Sequence, residues 1–191
     1  LISDRDNSGE LDVAADALSF SAYTGFTGII TRTTNSLTVG AGGVFIGGGT
    51  FNVTSGTFAN AGVLIMQLGT FVLGTGTNTN TGTFTMTGGT FTAGGTTTLT
   101  SAATQSLGTF NGPAAGGLLT FSSTLTVTGG TINLGAGNLA VTGATALNSS
   151  AAAIAFNASS GTLVFTGNFT MTRGGGGTNV FTGSTGAMTF T

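Results

Sequence analysis

Glycine recurs every thirteen residues through the middle of the chain, and this spacing constrains the fold more than any other feature. Blocks of thirteen residues start at six glycines: Gly43, Gly56, Gly69, Gly82, Gly95 and Gly108. Phenylalanine keeps the same step at Phe45, Phe58, Phe71 and Phe84, misses one block and returns at Phe110. A fixed period of this kind is typical of repeat architectures, in which each unit presents the same cross-section to the next.

The residues inside one block alternate between apolar and small or polar side chains. In GTFTMTGGTFTAG, residues 82–94, two short alternating runs are separated by glycine. Threonine and phenylalanine favour strands, and glycine permits the backbone conformations of tight corners. One block therefore predicts two short strands and two turns, while the abundant glycine and threonine disfavour helix.

The repeat predicts an all-β fold, a parallel β-solenoid in which the five repeated phenylalanines stack in the core and the six glycines turn the corners. A meander of hairpins fits less well, because the chain offers only Asn111-Gly112 as a typical hairpin turn. The coil is either one block, which makes a thin two-sheet solenoid, or about twenty or twenty-six residues, which makes a wider one. Residues 17–191 are predicted to form one solenoid domain.

Composition excludes several functions. Only 4% of the residues are charged, all five acidic residues lie among the first sixteen, and the chain has three arginines but no lysine, histidine or cysteine. Three arginines cannot form a phosphate-binding patch, so nucleic acid is not expected as a partner. No apolar run reaches the length of a membrane-spanning helix. We predict no catalytic residue and no enzymatic activity, because the groups that acid–base, nucleophilic and zinc chemistry need are missing from residues 17–191.

Residues 1–16 form a separate acidic segment, which we interpret as a cap, a linker or a junction between subunits. Its DRDNSGELD stretch resembles the start of an EF-hand calcium loop, since oxygen ligands alternate around a glycine turn. The candidate calcium ligands are Asp4, Asp6, Ser8, Glu10 and Asp12. The closing carboxylate of such a loop would fall at position 15, which is Ala15. Calcium is the one cofactor that the sequence suggests, and the alternative is a solvated acidic segment.

Two longer stretches carry a resemblance to known proteins. GTFTAGGTTTLTSAATQSLGTF (89–110) and TLTVTGGTINLGAGNLAVTG (124–143) resemble the repeats of large secreted bacterial β-solenoid proteins, the filamentous-haemagglutinin-like adhesins and autotransporter passenger domains. The likeness is one of composition and rhythm over most of residues 37–191. It implies export, an extracellular or cell-surface location, and a structural or adhesive role.

The low charge and the repeat together favour a structural subunit of an extracellular filament that binds copies of itself through solenoid ends or strand edges. One alternative is an adhesin segment that binds a cell surface or a glycan. A second alternative is an ice-binding protein that uses outward rows of threonine, although threonine also simply suits the exposed face of a strand.

Overall fold

The computed structural model describes residues 10–12, 18–20, 29–32, 36–149 and 151–191, and these residues form 25 strands and no helix. The strands, numbered β1 to β25 along the chain, build three parallel sheets, A, B and C, that wind as a β-solenoid of about seven turns. The predicted fold class is confirmed. Each full coil places one strand in each sheet, and neighbouring coils pair through parallel ladders.

Sheet A contains nine strands in register along the solenoid. They are β1 (Glu10–Asp12), β3 (Ile29–Arg32), β6 (Thr50–Val53), β9 (Thr70–Val72), β12 (Thr90–Thr92), β15 (Thr109–Asn111), β18 (Gly130–Gly135), β21 (Ile154–Ala158) and β24 (Asn179–Thr182). The first strand, β1, pairs in parallel with β3. The backbone of residues 10–12 thus belongs to the sheet, although they fall within the acidic segment set apart by the sequence.

Sheet B also contains nine strands and sheet C contains seven. The strands of sheet B are β2 (Leu18–Phe20), β4 (Leu37–Val39), β7 (Phe58–Asn60), β10 (Thr77–Asn80), β13 (Thr96–Leu99), β16 (Leu118–Phe121), β19 (Asn138–Val141), β22 (Leu163–Phe165) and β25 (Met188–Phe190). The strands of sheet C are β5 (Val44–Ile46), β8 (Leu64–Met66), β11 (Phe84–Met86), β14 (Ala103–Gln105), β17 (Leu125–Val127), β20 (Thr145–Ser149) and β23 (Phe169–Arg173).

The coil is longer than the sequence block. Thr50 pairs with Thr70 and Thr70 with Thr90, so one coil takes 20 residues and the wider solenoid of the two alternatives is the right one. A thirteen-residue block covers two of the three strands of a coil, as β11 and β12 do in residues 82–94. Successive blocks therefore start on successive sheets, C, B and A, and return to the same sheet only after two coils.

The core is a ladder of large side chains that runs up the inside of each sheet. In sheet A the inward positions of neighbouring coils hold Phe51, Phe71, Phe91 and Phe110, each no more than 1% exposed. Their ring centroids lie 4.9, 5.6 and 4.8 Å apart in that order. Such aromatic pairs contribute about 0.5–1.5 kcal/mol each beyond the apolar area that they bury.

The interior of sheet B includes a buried polar cluster. Asn60 donates a hydrogen bond of 2.6 Å from Nδ2 to Asn80 Oδ1, and a second of 2.8 Å to the Gly62 carbonyl. Asn78 Nδ2 donates to the Gly74 and Gly76 carbonyls at the corner before its own strand. Because a buried polar atom without a partner costs about 1–3 kcal/mol, these bonds to corner carbonyls make the asparagines tolerable inside the solenoid.

Candidate functional site

The acidic residues that the sequence suggests for calcium cannot be placed as a site. Asp4, Asp6 and Ser8 lie outside the described residues. Glu10 and Asp12 belong to β1, where their backbone pairs with Ile29 and Thr31, and their side chains are not described. No group of three acidic or histidine side chains lies together in the part of the chain that the structure describes. Calcium binding stays a prediction for residues 4–12.

The five repeated phenylalanines lie on all three sheets instead of forming one column. Phe58 is in sheet B, Phe71 and Phe110 are in sheet A, and Phe84 is in sheet C, all four of them buried. Phe45 differs from the expectation, because Val44 and Ile46 point into the core and the residue between them must point outward. The phenylalanines that do stack in sheet A follow the coil step of about 20 residues.

The six repeated glycines stand just before strands, at the corners of the coil. Gly43, Gly69, Gly95 and Gly108 have positive φ, whereas Gly56 and Gly82 do not. A Cβ atom on Gly82 would nevertheless collide with the Gly62 carbonyl oxygen of the coil below. Glycine at this corner is therefore required by the close approach of two coils.

The outer face of sheet A carries two parallel rows of side chains, which we call the Thr/Asn face. The threonine row consists of Thr50, Thr70, Thr90, Thr109 and Thr131, which pair coil by coil without interruption. The asparagine row lies two residues further along each strand and consists of Asn52, Val72, Thr92, Asn111, Asn133 and Asn157. All eleven side chains are partly exposed.

A chain of side-chain hydrogen bonds holds the upper part of the asparagine row. Asn157 Nδ2 donates to Asn133 Oδ1 at 2.9 Å, and Asn133 Nδ2 donates to Asn111 Oδ1 at 3.3 Å. Asn111 Nδ2 in turn donates to Thr92 Oγ1 at 3.3 Å. All three bonds run in the same direction along the solenoid, so the amides on this face are held in a regular array.

The outer faces of the other two sheets are less regular. In sheet B the outward row has three consecutive threonines, Thr79, Thr98 and Thr120, and Ala59 and Ala140 flank them. Sheet C likewise has a row of three consecutive threonines between Ile65 and Ala146, namely Thr85, Thr104 and Thr126. The five-residue row of sheet A is not evident in the sequence, because in linear order threonine runs occur in every part of the block. The signal was a Thr-Phe pair, or Thr-Ile in the last of the five strands, that recurs at the coil step.

The outer edges of β23, β24 and β25, which we call the open end, are the last strand edges of the described residues. These strands lie at the ends of the three sheets, and none of the described residues pairs with their outer edges. Met171 and Phe190 point inward, in register with Leu147 and Phe165 of the coil below. Met171 is 46% exposed and Phe190 is 53% exposed, whereas Leu147 and Phe165 are each 0% exposed.

A groove of about 540 Å³ follows the corner between sheets A and B. The residues that line it include Leu73, Gly74, Ala93, Gly94 and Pro113. An adhesin of the alternative hypothesis would offer aromatic or charged side chains in such a groove, and the residues that line this one include neither. In residues 36–149 and 151–191 the one charged side chain is Arg173, whose Nε donates to the Gly177 carbonyl at 2.7 Å.

A search of the described residues for a helix long and apolar enough to cross a membrane found none. Comparison with protein-family models, with curated proteins and with solved structures likewise found no match to this chain. The resemblance to haemagglutinin-like and autotransporter repeats therefore stays an expectation from the sequence.

Proposed function

We propose that this protein is a structural subunit of an extracellular filament, in which copies associate through solenoid ends or strand edges. The observation that supports the proposal is the stacking of the coils, in which parallel strands pair edge to edge and each coil covers the inward side chains of the coil below. Among the residues from 36 onward, Phe190 covers Phe165 in this way, at a ring-centroid distance of 5.3 Å. A further coil on the open end would bury Met171 and Phe190 in the same way.

The backbone edges of this end support the same partner. An exposed edge of a parallel strand presents unpaired N–H and C=O groups, which are a template for another strand. At the open end three such edges lie side by side, and their spacing is that of the three sheets. A partner with the same three-sheet cross-section satisfies all three together, and a second copy of this chain has that cross-section.

Charge does not oppose association at this surface. Arg173 is the one charged side chain of the last coil, so two copies bring little like charge together. Chains close to electrical neutrality associate more readily than highly charged ones. The location outside the cell rests on the resemblance to secreted β-solenoid repeats, whose role is structural or adhesive.

The experiment compares one substitution at the open end with one on the side of the solenoid. Wild-type protein, Phe190→Asp and Leu107→Asp are examined by electron microscopy and sedimentation velocity. Leu107 is a matched control, because it is 51% exposed but lies at a corner far along the chain from the last coil. We expect filaments from the wild type and from L107D, and short dispersed rods from F190D.

Two results would contradict the proposal. One is a wild type that stays as dispersed rods at all concentrations. The other is a loss of filaments in L107D as complete as in F190D, with circular dichroism showing that both variants are folded. Adding a calcium chelator to the wild type tests the junction hypothesis for residues 4–12 separately, since only that hypothesis predicts that chelation shortens the filaments.

A further inference from the structure

We propose that the Thr/Asn face of sheet A binds ice. This surface lies on the side of the solenoid, so the proposal is independent of assembly through the open end. Its basis is a two-dimensional array of neutral side chains at fixed spacings, in which the five threonine hydroxyls have no hydrogen-bond partner among the described residues.

The spacing of the array follows from the fold. Neighbouring coils lie about 4.8 Å apart, and residues two apart on a strand lie about 6.6 Å apart. The threonine row keeps the coil spacing over five coils, a length of about 19 Å, and the asparagine row lies about 6.6 Å to its side. The first register shift in sheet A, between Asn133 and Gly135, falls beyond Thr131, so no bulge interrupts the threonine row. A crystal of ice also presents oxygen atoms at fixed repeats in two directions, and these repeats are of comparable size.

The array is rigid as well as regular. Between its two rows, each strand sends one large side chain into the core: Phe51, Phe71, Phe91, Phe110 and Ile132 in successive coils. These side chains are at most 2% exposed, so they fix the strands from behind. Threonine itself is β-branched and stiff at χ1. A surface that is already ordered loses little conformational entropy when it meets an ordered solid, which favours binding.

The hydroxyl groups of the threonine row are available to water. None of the five side-chain hydroxyls donates or accepts a hydrogen bond with the described residues, whereas Thr81 and Thr87 at the corners bond to carbonyls of the coil below. Each hydroxyl can therefore bond to an outside water while its methyl group lies against the same layer. Bridging waters are nearly as favourable as direct hydrogen bonds, and a regular row orders them together.

The lack of charged side chains on this face favours ice over other extended partners. The face contains no ionisable side chain, and neither does any described residue of the coils that carry it. A mineral or an anionic polymer would call for charged groups, whereas ice is neutral and is bound by hydroxyl, methyl and amide groups alone. The absence of exposed aromatic rings from the face also disfavours the stacking that recognises sugar rings.

The test uses the full chain and a pair of matched substitutions. Thr90 is the centre of the five-residue row, and Thr98 is the centre of the three-residue row of sheet B in the same coil. Thr90→Lys and Thr98→Lys thus add the same charge and length to the middle of two outer faces. Thermal hysteresis is measured for each, together with the uptake of labelled protein into a growing ice hemisphere. Circular dichroism establishes that each variant is folded, and Thr109→Lys replaces T90K if T90K is not.

We expect hysteresis and uptake for the wild type and for T98K, and loss of most of both for T90K and T109K. F190D should retain the activity of the wild type, because the open end is not the binding surface. Wild-type protein that shows no hysteresis and is excluded from ice would overturn the proposal, and so would equal losses in T90K and T98K. Binding to microcrystalline cellulose without hysteresis would assign the face to a polysaccharide. Dimers that T90K alone abolishes would assign it to a second copy.

Discussion

The coils from Thr50 to Thr131 and the coils that follow them use the same three sheets, yet they differ in regularity. Between Thr50 and Thr109 the coil step is 20, 20 and 19 residues, and from Thr131 to Ala155 to Val180 it is 24 and 25. Much of the added length lies at the corner between sheets C and A. There β17 ends at Val127 and β18 begins at Gly130, whereas β20 ends at Ser149 and β21 begins at Ile154.

The longer coils also contain more buried polar side-chain atoms that lack a hydrogen-bond partner. Four buried side-chain atoms lack a hydrogen-bond partner among the described residues, and three of them belong to the later coils: Thr145 Oγ1, Ser149 Oγ and Asn179 Oδ1. An orphaned buried polar atom costs free energy, so these coils gain less stability for each residue that they order. A constant coil length therefore goes together with an uninterrupted outer threonine row and with fewer orphaned polar atoms inside.

The largest expected contrast is in the core. Phe91→Ala, in the regular coils, removes a ring that contacts the rings of Phe71, Phe84 and Phe110, and we expect a loss of about 3–5 kcal/mol in the free energy of unfolding. Phe190→Ala at the open end should cost well under half as much, since that ring is already half exposed. Guanidinium denaturation at a concentration where the protein is monomeric measures both, and equal losses would erase the distinction between the two regions.

The next contrast concerns two glycines with similar φ. Gly69 has φ 77° and Gly116 has φ 82°, but a Cβ on Gly69 would meet the Gly49 carbonyl oxygen of the coil below at 2.5 Å, and one on Gly116 would meet nothing within 4 Å. Gly69→Ala should cost about 2–5 kcal/mol, from backbone strain and overpacking together. Gly116→Ala should cost only the strain, about 1–2 kcal/mol. Thermal unfolding of the two variants separates the effect of the close approach of two coils from the effect of positive φ. A loss of stability in G116A as large as in G69A would contradict this explanation.

The smallest contrast is between buried and exposed asparagines. Asn80→Ala removes the 2.6 Å partner of Asn60 inside sheet B and leaves the Gly82 carbonyl without its donor, so we expect a loss of about 1–3 kcal/mol. Asn157→Ala removes the first donor of the outer row, where water replaces the amide, and should cost no more than about 1 kcal/mol. Denaturation midpoints of the two variants test this, and a greater loss for N157A would show that the outer row stabilises the coil.

Much of the fold could be predicted from local patterns. Alternation around Phe84 and Met86, followed by Gly88-Gly89 and a second run at Thr90–Thr92, indicated two short strands per block, and the structure has β11 and β12 there. Phe45 shows the limit of that reasoning. Its place in the repeat matched the buried phenylalanines, but Val44 and Ile46 beside it are the inward pair.

The candidate surfaces depended more heavily on the structure. The sequence predicted only association through solenoid ends or strand edges, and the inward positions Met171 and Phe190 become visible once each is compared with the residue one coil below. The threonine row was hidden, because Thr70 and Thr90 are neighbours in space at the coil step and not at the step of thirteen. The calcium hypothesis for residues 4–12 stays a prediction of the sequence alone.

By itself, the sequence determined that this chain forms parallel coils of short strands with glycine corners, because alternation and glycine spacing act within a few residues. Only the tertiary structure decided that a coil has three corners and about 20 residues. That number depends on how sheets A, B and C close around a common core of phenylalanine, leucine and valine, and on which residues of distant blocks then come into register. The same closure decided which threonines share one face.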